Sequence, residues 1–468
     1  MATITELDDQ AARSQYRRPA SAGSSCRLAM ILVAVYLASA SRVWAADTVD
    51  LTPNLAAHSL ARIDIVVQVG GDAQLFSEGK KTSLPMSVVA NVSYDESRLT
   101  GTSSATSSRS VRYYDTANVA IKIASGSQKP SLRTDRRLII ASREKSAVRL
   151  VCPAAALARD ELDLLELPAS SLVIDEMLPH KPVAVGDTWT HSADVLSALL
   201  DLDAASDIEV TSRLDQVADG VAKVVLSGSL RGAVSGVGTE IELKAKYNFD
   251  LQTKRVNYFA LLVKEKRAVG HVGPGLDVVA KLLVKVTPIA QSVHLTPEVI
   301  AALPSASDQQ ALLEYEAPSH TFGFKYDREW FVTSDEPNIA ILRMVKRGEL
   351  VAQCNIAAIL TVQKEITLAG FQQEIQNSLG KNFGQFIRAA EETTPEGYHV
   401  YRVVAEGRVS DLPIQWIYYL VKNADGSQQA SLAFTLEPGL TEKFGESDRE
   451  LLAQLRFLTP PVKEAKRR

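Results

Sequence analysis

Hydrophobic and polar residues alternate with a period of two over most of residues 50–290, which is typical of half-buried β-strands. The clearest strand segments are 61–70, 86–94, 119–123, 221–230, 240–251, 256–264 and 278–286, together with a hairpin over 137–151. Because successive strands are close in sequence, we expect a curved antiparallel sheet with one apolar and one wet face. Two stretches with helical spacing, 159–167 and 193–202, are expected to cover the apolar face.

Residues 291–318 contain Pro, Ser and Ala, and we expect this segment to be a linker. The hydrophobic pattern changes after it. From 319 to 460, strand-like and helix-like patterns are mixed. Hydrophobic residues recur at helical spacing from Leu368 to Phe383, which predicts a long amphipathic helix capped by Thr367. Three strands and a final helix, opened by Ser447 in a capping box, are expected to follow. The whole chain is therefore predicted to be an α+β protein.

The N-terminus carries a charge-free apolar run from Leu28 to Ala40, preceded by several arginines. A membrane-spanning helix needs about 20 apolar residues, whereas the apolar region of a signal peptide has about 7–15. Val43-Trp44-Ala45 matches the small-x-small cleavage pattern. We therefore predict that residues 1–45 are a signal peptide cleaved after Ala45. The mature protein would be periplasmic or extracellular, without a transmembrane span, and its basic tail at 461–468 is expected to be disordered.

Composition narrows the function classes. The chain has 468 residues, of which 46% are hydrophobic and 23% charged, as in an average soluble protein. Its formal net charge of −4 gives no reason to expect a nucleic-acid partner. Three cysteines exclude a disulfide scaffold. Cys152 and Cys354 lie in apolar stretches and are expected to be buried thiols, with a disulfide between them left open.

Few residues suggest a catalytic or metal-binding role. The sequence contains neither a Gly-x-Ser-x-Gly motif nor a His-Glu-x-x-His motif, so we predict no catalytic residues, no metal site and no cofactor. A hydrolase hypothesis remains for Asp187, His180 and His191, because they are close in sequence. Asp187 is interpreted first as a turn residue whose carboxylate binds nearby backbone N–H groups.

Four residues are the candidates for ligand binding. Asp187 and Trp189 lie in the segment Val183-Ala-Val-Gly-Asp-Thr-Trp189. Arg136 and Arg137 lie in an arginine-rich stretch that runs into the predicted hairpin. This stretch is interpreted as the solvated face of a strand, with an anionic lipid head or cell-wall polymer as the alternative partner.

Two resemblances add to this picture. Phe322-Gly-Phe-Lys-Tyr-Asp-Arg-Glu-Trp330 resembles the opening motif F-x-Y-P-x-x-W of the PsbP-like α/β/α sandwich, with Asp327 at the position of the proline. Trp416-Ile-Tyr-Tyr-Leu420 also fits that family. Members are mostly non-catalytic envelope, secretory or assembly factors, so the resemblance implies a binding or structural module over 319–460. Residues 183–189 are similar to the V-G-D-x-W signature of uncharacterised exported β-rich domains, and the curved sheet is similar to half-barrel lipoprotein carriers.

Two functions fit these observations. The first is an exported, non-catalytic protein that binds a lipid, another apolar small molecule or a peptide in a groove of the half-barrel-like domain at 50–290. The alternative is a structural or assembly factor of the cell envelope that acts through contacts with a protein partner.

Overall fold

The computed structural model describes residues 48–54, 59–77, 80–99, 108–304, 311–360 and 366–458. The predicted signal peptide (1–45) and basic tail (461–468) lie outside these residues and stay predictions. In the part of the chain that is described, none of the helices has the length and apolar character needed to cross a bilayer.

A 12-stranded antiparallel sheet dominates the first half of the chain. The strands of this half are β1 (Val49–Asp50), β2 (Leu60–Ser77), β3 (Lys80–Leu99), β4 (Arg109–Ile123), β5 (Gly126–Gln128), β6 (Leu138–Arg143), β7 (Val148–Val151), β8 (Pro182–Val183), β9 (Thr188–Thr190), β10 (Ala204–Ala218), β11 (Val221–Val234), β12 (Val237–Asp250), β13 (Arg255–Arg267) and β14 (Gly275–Pro288). β1 and β8 form a separate pair. The large sheet has the order β7-β6-β4-β3-β2-β14-β13-β12-β11-β10-β9, with β5 paired to β4. The predicted antiparallel arrangement is confirmed, and the pairing of β2 with β14 joins the first and last long strands.

Two helices and a 3-10 turn cover the apolar face of this sheet. They are α1 (Arg159–Leu165), the turn Ile174–Met177 and α2 (Ala193–Leu200). Ser192 caps α2 by accepting a hydrogen bond from the backbone N–H of Val195. Leucines of both helices are buried against strand residues in one hydrophobic core. The predicted helices at 159–167 and 193–202 are therefore present, each ending two residues early.

The second half contains two further sheets. Its elements are α3 (Pro297–Ala301), β15 (Leu313–Glu316), β16 (Phe322–Tyr326), β17 (Trp330–Glu336), β18 (Ile339–Lys346), β19 (Glu349–Ile359), α4 (Leu368–Leu379), β20 (Phe383–Thr393), β21 (His399–Val409), β22 (Leu412–Lys422), β23 (Gln429–Leu436), α5 (Thr441–Phe444), α6 (Ser447–Ala453) and β24 (Arg456–Phe457). Seven strands form a sheet in the order β17-β18-β19-β23-β22-β21-β20, and β15-β16-β24 form a small one. The chain is thus a β-rich α+β protein.

The predicted long helix is shorter than its hydrophobic pattern. Thr367 caps α4 as expected, accepting a hydrogen bond from the backbone N–H of Gly370. The helix ends at Leu379, because Gly380 takes a φ of +53° that leaves the right-handed helical region. Phe383 therefore begins β20 instead of closing the helix. The predicted capping box is also wrong: Glu446 is the N-cap of α6, and Ser447 donates its hydroxyl to the carbonyl of Phe444.

Strand β15 lies inside the segment predicted as a linker. Leu313 is fully buried, pairs with Tyr326 and forms a parallel bridge with Leu157. Arg328 donates to the carbonyl of Ala311 at 2.9 Å and so fixes the start of this strand. Buried residues of both halves belong to one hydrophobic cluster. The described residues between 48 and 458 accordingly form one compact unit.

Five charged side chains are buried between the large sheet and its cover; they are Glu96, Arg98, Arg112, Asp175 and Arg255, exposed by only 1–7%. Arg112 donates to Glu96 at 3.0 Å across β3 and β4, and Arg98 donates to Asp175 at 2.9 Å. Asp175 also accepts from the backbone N–H of Val256 at 3.0 Å. This buried charge network therefore joins β3, β4 and β13 to the 3-10 turn over the sheet.

Two serines complete the buried charge network. Ser171 donates to Glu96 at 2.7 Å, and Ser170 accepts from Arg112 at 2.9 Å. Burial by itself would raise the pKa of Glu96, but the guanidinium groups of Arg112 and Arg98 outweigh it and hold that pKa below its usual value. The stability that Glu96 contributes is therefore present at neutral pH and is lost as the pH falls through its lowered pKa.

We expect Arg112→Leu to lower the free energy of unfolding by about 3–5 kcal/mol, because it leaves Glu96 buried without its main partner. Urea denaturation measures this change. Arg231→Leu is the matched control: Arg231 is 65% exposed in its ion pairs with Asp207 and Glu240, so its loss should cost less than about 1 kcal/mol. Equal losses in the two variants would contradict the role of the buried charge network.

Candidate functional site

The Val183–Trp189 segment forms the turn that leads into β9. The carboxylate of Asp187 accepts a hydrogen bond from the backbone N–H of Ala184 at 2.9 Å, as expected for a turn. The indole of Trp189 is half-buried and donates to the carbonyl of Met177 at 2.9 Å. Both side chains therefore hold the turn and the sheet cover together.

The three residues of the hydrolase hypothesis have separate surroundings. The Nε2 of His191 lies 2.8 Å from the hydroxyl of Ser212, which also accepts from the hydroxyl of Tyr247 at 2.9 Å. Ser212 is fully buried, so a substrate cannot reach it. Burial lowers the pKa of His191 to about 4, which keeps the ring neutral at pH 7. His180 is exposed, on a turn where its φ is +48°. The carboxylate of Asp187, the third residue of this hypothesis, accepts a hydrogen bond from the backbone instead.

The arginines of the predicted basic hairpin are mostly paired with acids. Arg136 is only 8% exposed. Its guanidinium donates hydrogen bonds to the carbonyl of Ala156 at 3.0 Å and to the carboxylate of Glu314 at 3.2 Å. Arg133 pairs with the same Glu314 at 2.8 Å. Arg137 is half-buried, and its carbonyl accepts from the backbone N–H of Tyr114.

The other basic residues of this region are paired as well. Arg143 binds Glu176 at 3.0 Å, and Arg149 binds Glu144 at 3.1 Å. Arg133, Arg136 and Arg143 join elements that are distant in the chain, whereas the Arg149–Glu144 pair lies within the hairpin. The interpretation as a solvated strand face is therefore wrong for the buried Arg136, and an anionic partner stays a prediction. The sequence could not show these acidic partners, because most of them are brought to the arginines by the tertiary fold.

The space beneath α1 and α2 is the candidate groove on the apolar face. It is lined by apolar residues of β2, β3 and β7, by Tyr94, Arg112 and Tyr114, and by Glu166 and Asp201. Its volume is about 20 Å³, which is room for about one water molecule. This space is therefore filled by its own side chains. Cys152 is one of the buried residues of this core, and both it and Cys354 are free thiols.

Two carboxylates, those of Glu166 and Asp201, line this space, and the carboxylate of Asp163 is close enough to Glu166 to raise its pKa. Desolvation raises the pKa of Glu166 to about 8, and the nearby carboxylate of Asp201 adds to the effect. Arg328 lies 3.4 Å away and opposes it. Desolvation by the surrounding protein also raises the pKa of Asp163 and of Asp201, each to about 6, although both are open to solvent on one side. In the described part of the chain, no group of three or more His, Cys, Asp or Glu residues could hold a metal ion.

The outer face of the large sheet carries two adjoining depressions of about 690 and 680 Å³ at one end of the strands. They share a cross-strand row of alternating charge, formed by Asp277, Lys266, Glu240 and Arg231 in successive strands. We call this row, together with Glu242 and Lys264 of the adjacent row, the charged trough. Lys264 pairs with Glu242 at 3.4 Å in the adjacent row. The sequence shows these residues only as the wet positions of alternating strands, because their pairing depends on register.

We expect Glu166→Gln to raise the free energy of unfolding by about 1–3 kcal/mol at pH 8 and to leave it nearly unchanged at pH 5. The pKa of Glu166 is higher in the folded chain, so its ionisation costs stability as the pH rises from its usual value toward about 8. Denaturant unfolding at both pH values measures the difference. Glu396→Gln, at an exposed turn, is the control and should show no such pH dependence; a pH-independent effect of Glu166→Gln would contradict the prediction.

No protein-family model and no curated protein sequence matches the chain. Among solved structures, it is similar to the PsbP protein CyanoP of Synechocystis, with 12% identity and a TM-score of 0.25 over 33% of this chain and 98% of that one. It is also similar to a protein of Bacteroides thetaiotaomicron, with 13% identity and a TM-score of 0.22 over 31% of this chain and 48% of that one. Likenesses of this extent assign no function, and the PsbP-like sandwich predicted for 319–460 stays a prediction.

Proposed function

We propose that the protein is a non-catalytic binding protein of the cell envelope that acts on a protein partner through its exposed surfaces. The observation that supports this most is the filled space beneath α1 and α2, with a volume of about 20 Å³. A lipid or peptide of several hundred cubic ångströms has no room there while the buried charge network holds the cover in place. The predicted signal peptide supports the location, and the separate surroundings of Asp187, His180 and His191 favour a non-catalytic role.

Strand β20 is the surface best suited to a protein partner. It forms one edge of the seven-stranded sheet and pairs with β21 on its other side. Its first part is irregular, whereas Arg388–Thr393 pairs regularly with β21. An exposed strand edge can bind an extended segment of another protein through backbone hydrogen bonds. Ile387 is 49% exposed on this edge strand and offers an apolar contact beside them.

The partner is sought by cross-linking in intact envelopes, followed by affinity capture of the full-length protein and quantification of co-purified proteins. We expect one stoichiometric partner, whose recovery falls at least tenfold in Ile387→Lys. Leu412→Lys is the matched control, because Leu412 is 55% exposed on β22 of the same sheet. Absence of a stoichiometric partner, or equal recovery with both variants, would count against this surface.

A second candidate function is the binding of an apolar ligand beneath the helices. It is favoured by the apolar lining of that space, and it requires α1 and α2 to move away from the sheet. Native mass spectrometry with solvent extraction separates the two functions. We expect the mass of the polypeptide alone; a reproducible adduct of lipid mass would instead support the carrier function first predicted from the sequence.

A further inference from the structure

Four lysines form a group on the outer face of the large sheet. Lys244 and Lys246 are on β12, and Lys281 and Lys285 are on β14, so that the four flank β13. All four are exposed. Among the ion pairs of the described residues, none involves these lysines. We call this group the lysine face.

The register places apolar side chains between these lysines. Leu262 of β13 lies opposite Lys281 on one side and opposite Lys244 on the other. In the next row, Ala260 lies between Lys246 and Leu283, and Leu283 pairs onward with Val66 of β2. Val66 is 37% exposed, and the other apolar residues are half-buried. The lysine face is therefore a basic surface with an apolar centre.

Charge is segregated along the same strands. In the charged trough, Lys264 and Lys266 lie among acidic residues, and Lys264 is paired with Glu242. In the rows of Lys281 and Lys246, by contrast, the outward residues of β11 and β2 are Ser227, Gln68, Val225 and Val66. Two acids lie at the margin: Asp64 opposite Lys285, and Glu242 two residues before Lys244 on β12. Four unpaired positive charges thus stand together on a protein whose formal net charge is −4.

We propose that the lysine face docks the protein on the surface of a bilayer that contains anionic phospholipids. Neighbouring strands are about 4.8 Å apart, so lysines on β12 and β14 are about 10 Å apart on one open face, a spacing that reaches several headgroups at once. Lysine side chains place their ammonium groups at phosphates while their methylene stems lie along apolar surface. A nucleic acid is less well matched, because the rows of these lysines on β12, β13 and β14 contain no arginine and one aromatic residue, the half-buried Tyr258.

The test is co-sedimentation of the full-length protein with vesicles of phosphatidylcholine containing 40% phosphatidylglycerol, and with vesicles of phosphatidylcholine alone. We expect binding to the anionic vesicles only, with a partition coefficient that falls more than tenfold between about 0.05 and 0.5 M salt. The variant Lys244→Gln/Lys246→Gln/Lys281→Gln/Lys285→Gln should lose more than tenfold in binding. Far-UV circular dichroism checks that the variant is folded.

A control variant with the same change of net charge separates this patch from a general charge effect. Lys80→Gln/Lys129→Gln/Lys181→Gln/Lys381→Gln removes four exposed lysines that are scattered over the surface. It should bind the anionic vesicles as the unmodified protein does. The proposal is overturned by equal losses in both variants, by no binding to the anionic vesicles, or by binding to a nucleic-acid polyanion without binding to vesicles. These outcomes do not depend on whether β20 binds a protein partner.

Discussion

The buried charge network is the constraint on which the architecture of the first half depends. Charged groups are costly to remove from water, and the cost is offset here only when Glu96, Arg112, Arg98 and Asp175 meet their partners together. Those partners lie on β3, β4 and β13 and on the 3-10 turn that covers the sheet. The network therefore fixes the position of the cover, and with it the packing of α1 and α2 on the apolar face.

This arrangement gives the two faces of the large sheet different roles. The inner face forms a packed core in which the space beneath α1 and α2 is about 20 Å³, so its apolar residues serve stability. Arginines that look available in the sequence, such as Arg136, join the two halves of the chain through Glu314. Surfaces open to a partner are left on the outside, at the lysine face, the charged trough and the edge strand β20.

Much of the fold could be predicted from local patterns. Alternation located β2, β3, β4 and the strands from β11 to β14, but it missed β10 (Ala204–Ala218). The Gly-Asp turn at Asp187 is present, and Thr367 caps α4. The predictions were wrong where one local sequence pattern is compatible with two different structures. Phe383 continues the helical spacing of α4, but Gly380 ends the helix and Phe383 begins a strand. Leu313 lies in a segment with linker composition, yet burial against Leu157 and Tyr326 makes it part of a sheet.

The sequence by itself determined most of the long strands of the first half and which side of each faces the core, because a period of two is a property of neighbouring residues. It also determined the short-range devices, such as the turn at Asp187 and the cap at Thr367. Only the tertiary structure decided which strands became neighbours and in what register, since pairs such as β2 with β14 join residues about 200 positions apart. Register in turn decides that Lys264 lies opposite Glu242 and pairs with it, whereas Lys244, Lys246 and Lys281 lie opposite no acid. Lys285 lies opposite Asp64 but forms no ion pair with it among the described residues. The charge opposite a side chain is set by the neighbouring strand and not by the neighbouring residue.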